Sequence, residues 1–130
     1  MSEKEEAREK IGRAFEKWLK PLGLLWLDIR VVYYGKKKDT QRVFVSKEDG
    51  GIVAAKCYAD WRYGTATIEV NVPAFYGMSA EEVETIILHE LCHVLVNEMR
   101  EGADHHEERV VTGLTKAFMW VYKAGKGELK

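Results

Sequence analysis

Three residues near the middle of the chain have the types and spacing to do chemistry. They are His89, Glu90 and His93, in the string His89-Glu90-Leu91-Cys92-His93. On a helix, residues four apart share a face. His89 and His93 then aim two imidazoles at one point, with Glu90 beside them. Two histidines so placed are able to hold Zn2+, and the carboxylate is placed to take a proton from an attacking water.

An HExxH string arises by chance in about one in a hundred chains of this composition. This one falls within Val83 to Val96, an apolar run that reads as a buried helix. The plain alternative is a helix with two half-exposed histidines and a surface glutamate. Polar side chains in an apolar helix are costly to bury unless something satisfies them. A metal ion would do so.

The elements around the string can be read in outline. Ser2-Glu3-Lys4-Glu5 resembles a capping box, and Ile11, Ala14, Phe15, Trp18 and Leu19 recur at helical spacing until Pro21-Leu22-Gly23. Leu25 to Tyr34 alternates as a strand, and Arg42 to Ser46 reads as a further short one. Ile52 to Asp60 and Thr65 to Val72 read as a hairpin around Trp61-Arg62-Tyr63-Gly64. Ser79-Ala80-Glu81-Glu82 is a second capping box and starts the HExxH helix. Gly102-Ala103-Asp104 breaks the pattern, with Asp104 as the cap of a third helix. That helix is expected to bury Val110, Val111, Leu114, Ala117, Phe118 and Val121. A loose tail follows over the last residues, from about 124 to 130. The expected fold is a single α+β domain over 1–130: an N-terminal helix, a three- to four-stranded and mainly antiparallel sheet, the HExxH helix and a ligand-bearing C-terminal helix.

A catalytic zinc takes three protein ligands and keeps one place for water. Candidates for the third ligand cluster at Asp104-His105-His106-Glu107-Glu108. Glu107 precedes Val110, Val111 and Leu114 by three, four and seven, which puts it on the expected buried stripe. His106 lies at the edge of that stripe and is the alternative, while His105 and Glu108 point elsewhere. Glu107 also has a plain role, as the second half of a capping box. A helix rises about 1.5 Å per residue. Glu107 therefore sits level with His93 only if the HExxH helix ends near Val96 or Asn97, with a loop over Glu98 to Ala103.

Composition narrows the function classes. The chain has 130 residues, 46% of them hydrophobic, with 20 basic and 21 acidic groups for a formal net charge of -1. That balance gives no electrostatic footprint for nucleic acid or an anionic membrane, although Lys36 to Lys38 form a small basic patch. No stretch is apolar enough to span a bilayer, and the acidic N-terminus is unlike a secretory signal. Two cysteines, Cys57 and Cys92, are too few for a disulfide scaffold. The expectation is a soluble, cytoplasmic protein.

The HELCH string, a short loop and a glutamate on the next helix together resemble the zincin metallopeptidases of gluzincin type. The likeness is closest to small single-domain HExxH proteins of phages and prokaryotes, and it covers roughly residues 65 to 122. The resemblance implies a zinc-dependent metallopeptidase acting on peptide or protein substrates, with His89, His93 and Glu107 on the metal. It also implies that Thr65–Val72 is an edge strand pairing with extended substrate. The metzincin form is absent, since Val96 and Met99 stand at its Gly and His positions. The NExxSD pattern of large gluzincins is only partly echoed by His106-Glu107-Glu108-Arg109-Val110-Val111. SprT-like zincins, which use a third histidine, keep His106 open.

In that reading Glu90 takes a proton from water and returns it to the leaving amine. A donor for the developing oxyanion is sought among His105, His106 and Tyr76. The small size predicts weak or restricted activity, or a terminus lying in the cleft as an inhibitor. The alternative is a non-catalytic zinc-binding protein, regulatory or interacting, that retains a zincin site. A purely structural zinc is normally closed by four ligands, and such a site has no use for Glu90.

Overall fold

A computed structural model describes residues 2–36, 53–60, 63–96 and 104–127, leaving aside the side chains of 104–107. The elements, in order, are α1 (Glu3–Leu19), β1 (Asp28–Tyr34), β2 (Ala55–Asp60), β3 (Thr65–Asn71), a 3-10 turn (Val72–Phe75), α2 (Ala80–Val96) and α3 (Asp104–Gly125). The expected strand at Arg42 to Ser46 and the loop over Glu98 to Ala103 lie outside the described residues.

The capping box at Ser79 forms in full, and at Ser2 its serine half forms. Ser2 accepts a hydrogen bond from the Glu5 amide at 3.1 Å. Ser79 accepts one from the Glu82 amide at 3.1 Å, and the Glu82 carboxylate reaches back to the Ser79 amide at 3.4 Å. These contacts satisfy amides that the first helical turn leaves without partners. α2 follows at once, and its described residues run to Val96.

The sheet corrects the expectation in two ways. It is mixed rather than mainly antiparallel: β1 pairs parallel with β3 over Asp28–Tyr34, and β2 pairs antiparallel with β3 over Ala55–Asp60. Alternation tells which residues share a face, but it does not tell which strand lies beside which. The order is β1-β3-β2, so the Thr65 strand is the central one and not an edge. Among the described residues β2 is an edge strand, and it lies against α2.

One face of the sheet carries Ala66, Ile68 and Val70, all buried, flanked by Ile29, Val31 and Tyr33 of β1. α1 and α2 close this face with Ile11, Ala14, Phe15, Val83, Ile87, Leu88 and Leu91. On the opposite face Glu69 accepts a hydrogen bond from Tyr34 at 2.8 Å. Gly64 ends the hairpin turn at φ +63°, where a Cβ would stand 3.4 Å from the Trp26 ring. The left-handed backbone favours glycine there, while the 3.4 Å approach is an ordinary contact.

α3 is rotated by about one residue from the expected stripe. Its buried positions are Val111, Thr115 and Met119, with Leu114, Phe118 and Tyr122 half-buried. Val110, Ala117 and Val121 are exposed. The helix has apolar residues on most of its circumference, so the sequence pattern does not fix which side turns inward. Buried Thr115 turns inward because its hydroxyl is satisfied, donating to the Val111 carbonyl at 2.8 Å. Cys92 packs from α2 against the same threonine, with its sulfur and that hydroxyl in hydrogen-bond contact.

Candidate metal centre

The rotation of α3 decides which acidic residue meets the histidines. Glu108 precedes Val111, Thr115 and Met119 by three, seven and eleven, so it continues their line toward α2. His89 Nε2 lies 3.2 Å from Glu108 Oε2, and His93 Nε2 lies 2.6 Å from Glu108 Oε1. The expectation that Glu108 points elsewhere is therefore corrected, because it rested on the wrong inward stripe. The side chains of Glu107 and His106, the expected ligand and its alternative, lie outside the described ones, as does that of His105. Tyr76, the other oxyanion candidate, packs at the edge of the core.

The two histidines lie one helical turn apart, with ring centroids 5.0 Å from each other. One ligand atom from each of His89, His93 and Glu108 falls within 4.8 Å of the other two. A tetrahedral ion with N and O ligands at about 2.0–2.2 Å needs donors about 3.3–3.5 Å apart. The His89–Glu108 separation of 3.2 Å is near that value, and the His93–Glu108 contact of 2.6 Å, to the other carboxylate oxygen, would have to widen. Two imidazoles and a carboxylate are also a donor set that suits a divalent ion of the zinc kind.

Electrostatics favour the same use. Burial holds the His89 pKa below its ordinary value, partly opposed by Glu108. A lowered pKa keeps the ring neutral, and the neutral ring is the form that binds a metal. Glu90 is almost fully buried, and its pKa rises from 4.5 to about 7. Burial is the main cause; His93 opposes it and Glu108 adds to it. A carboxylate poised near neutrality is matched to taking up and releasing a proton.

The sequence thus leads to His89, Glu90 and His93, and it misses Glu108. The signal that finds Glu108 is Thr115: a threonine in the middle of an apolar helix, satisfied by its own backbone, marks an inward side as well as a valine does. No family model, no curated protein and no solved structure matches this chain.

Proposed function

We propose that the protein is a zinc-dependent metallopeptidase that hydrolyses peptide bonds. His89, His93 and Glu108 hold the ion in this reading, and Glu90 is the general base. The observation that carries it is the convergence of those three ligand atoms within 4.8 Å, with the buried Glu90 next in sequence to one of them. Zinc, when bound, polarises the scissile carbonyl and lowers the pKa of a water to about 7. Glu90 accepts one proton from the attacking water on its carboxylate. It then gives that proton to the departing amine nitrogen as the C–N bond breaks, so the residue ends as it began.

Substrate would lie along β2. This strand runs beside α2, and among the described residues it pairs with β3 on one side only. An extended peptide pairing there would be held by backbone hydrogen bonds and read little of its sequence. A carboxylate buried against the metal ligands has a purpose in hydrolysis and none in a closed structural site, which favours this reading over a non-catalytic zinc protein.

Metal content and peptide hydrolysis, measured together, test it. Wild type is expected to carry one zinc per chain and to cleave an unstructured protein. His89→Ala is expected to lose the zinc. Glu90→Gln is expected to keep the zinc and lose roughly 10²–10⁴-fold in rate. Full metal in His89→Ala would remove the site, and an unchanged rate in Glu90→Gln would remove the mechanism.

A further inference from the structure

The seam between α2 and α3 holds a buried polar contact that an apolar core has no need of. Cys92 is fully buried and Thr115 is 4% exposed. The Thr115 hydroxyl donates its proton to the Val111 carbonyl at 2.8 Å. Its oxygen keeps lone pairs to accept with, and the Cys92 sulfur lies in hydrogen-bond contact with it from α2. Thiol, hydroxyl and carbonyl thus form a chain from one helix to the other. Cys92 is next in sequence to His93, and Thr115 follows Glu108 by seven residues on the same face of α3. Those seven residues span about 10.5 Å of helix.

The contact adds little stability, because a thiol is a weak donor and Thr115 is already satisfied by its own backbone. What it adds is direction. α3 is apolar around most of its circumference, with Val110, Ala117 and Val121 exposed beside the buried Val111 and Met119. Apolar contact is not directional and does not choose between those sides. One residue of rotation is about 100°. A turn of that size would carry Thr115 away from Cys92 and put Glu107 or Arg109 in the place of Glu108. A hydrogen bond tolerates no such turn. Buried polar contacts in helix seams serve as register marks in this way. The Glu81–Lys123 pair cannot do the same, since both side chains are partly exposed and screened. We propose that Cys92 and Thr115 are positioning residues for the metal centre: their contact holds α3 at the rotation that presents Glu108 to His89 and His93. This role rests on the metal-binding function proposed for those three groups.

Zinc affinity of the full chain, measured by competition with a chromophoric chelator, tests it. Thr115→Val keeps the side-chain shape and removes the hydroxyl. It is expected to bind zinc about tenfold more weakly than wild type. Its melting temperature without metal should shift by less than about 5 °C. Thr115→Ser restores the hydroxyl and is expected to stay within about threefold of wild-type affinity. In a Glu108→Ala background Thr115→Val should have no further effect, because it acts through that carboxylate. Cys92→Ala cuts the same contact from α2 and should match Thr115→Val, so it carries the test if the valine variant does not fold. Wild-type affinity in a folded Thr115→Val or Cys92→Ala, an equal loss in Thr115→Ser, or an undiminished loss in the Glu108→Ala background would each overturn the proposal while leaving the metal centre in place. Wild type that binds no zinc would overturn the metal centre and this role with it.

Discussion

The two ends of the α2–α3 pair are built from similar residues and used differently. At the α2 N-terminus, Glu84 accepts a hydrogen bond from Trp18 Nε1 at 2.7 Å and pairs with Lys17 at 2.5 Å. Glu81 pairs there with Lys123, and Trp18 packs edge-on against Tyr122. Every acid named at this end has a cation beside it. Toward the other end stand His89, His93, Glu108 and the buried Glu90. That group holds two carboxylates and two rings whose cationic form burial resists at His89. One end is neutralised by the chain itself. Among the described residues the other is short of positive charge, which is what a site for a metal ion requires.

The sharpest way to break this contrast is to remove a ligand. Glu108→Ala is expected to lower zinc affinity by more than the roughly 10–100-fold that follows loss of an outer partner of a ligand. Glu107→Ala is expected to stay close to wild type. Competition with a chromophoric chelator measures both. The reverse order would return the third ligand to Glu107 and undo the one-residue rotation of α3.

The next effect comes from Glu90 in metal-free protein. Its folded pKa of about 7 lies above the ordinary 4.5. The folded chain therefore binds this proton more tightly than the unfolded one does. The associated stability is complete below pH 4.5 and is lost as pH rises through 7, in total about 3 kcal/mol. His89 slopes the other way, since its lowered pKa removes stability as pH falls below 6.5. Comparing wild type with Glu90→Gln isolates the glutamate. In chelator, stabilities from denaturant melts at pH 5 and pH 8 should show wild type losing about 2.5 kcal/mol relative to Glu90→Gln. Excess zinc should abolish that loss, because a cation offsets the buried charge. A pH-independent difference would mean that Glu90 is not ionising in the fold.

How much of this was legible in the sequence depends on the kind of signal. The helix starts at Glu3 and Ala80 were, because a capping serine and its glutamate are local chemistry. The inner face of β1 was, because Ile29 and Val31 alternate with Asp28 and Arg30, which sets the side that Tyr33 continues. The position of β3 between β1 and β2 was not, since the parallel pairing of β1 joins segments far apart in sequence. Glu108 was missed for a related reason. His89 and His93 lie on one helix, so spacing alone aligns them. The third group comes from another helix, and its choice needs the facing side of α3, which a surplus of apolar residues concealed. The same surplus left Val110, Trp120 and Val121 in the open.

At the neutralised end the effects are smaller. Trp18→Phe keeps the aromatic packing and removes the indole donor to Glu84. A hydrogen bond to a charged acceptor contributes about 1.5 kcal/mol or somewhat more. A loss of that order in denaturant melts is expected, and a neutral result would show that Lys17 alone satisfies Glu84.

The smallest effect should come from the pair at the helix ends. Glu81 and Lys123 touch, but more than half of the Glu81 side chain and over a quarter of that of Lys123 are exposed. Water and salt screen such a pair, and holding two long side chains together costs rotamer entropy. Glu81→Gln is therefore expected to shift stability by less than about 0.5 kcal/mol, and by less still in high salt. A double-mutant cycle with Lys123→Met separates the pair from other losses. A coupling of about 2 kcal/mol would mean that this contact, and not the apolar packing of Trp18 on Phe118 and Tyr122, fixes the angle between α2 and α3. The alignment of Glu108 with the two histidines would then depend on a charge pair at the far end of the same helices.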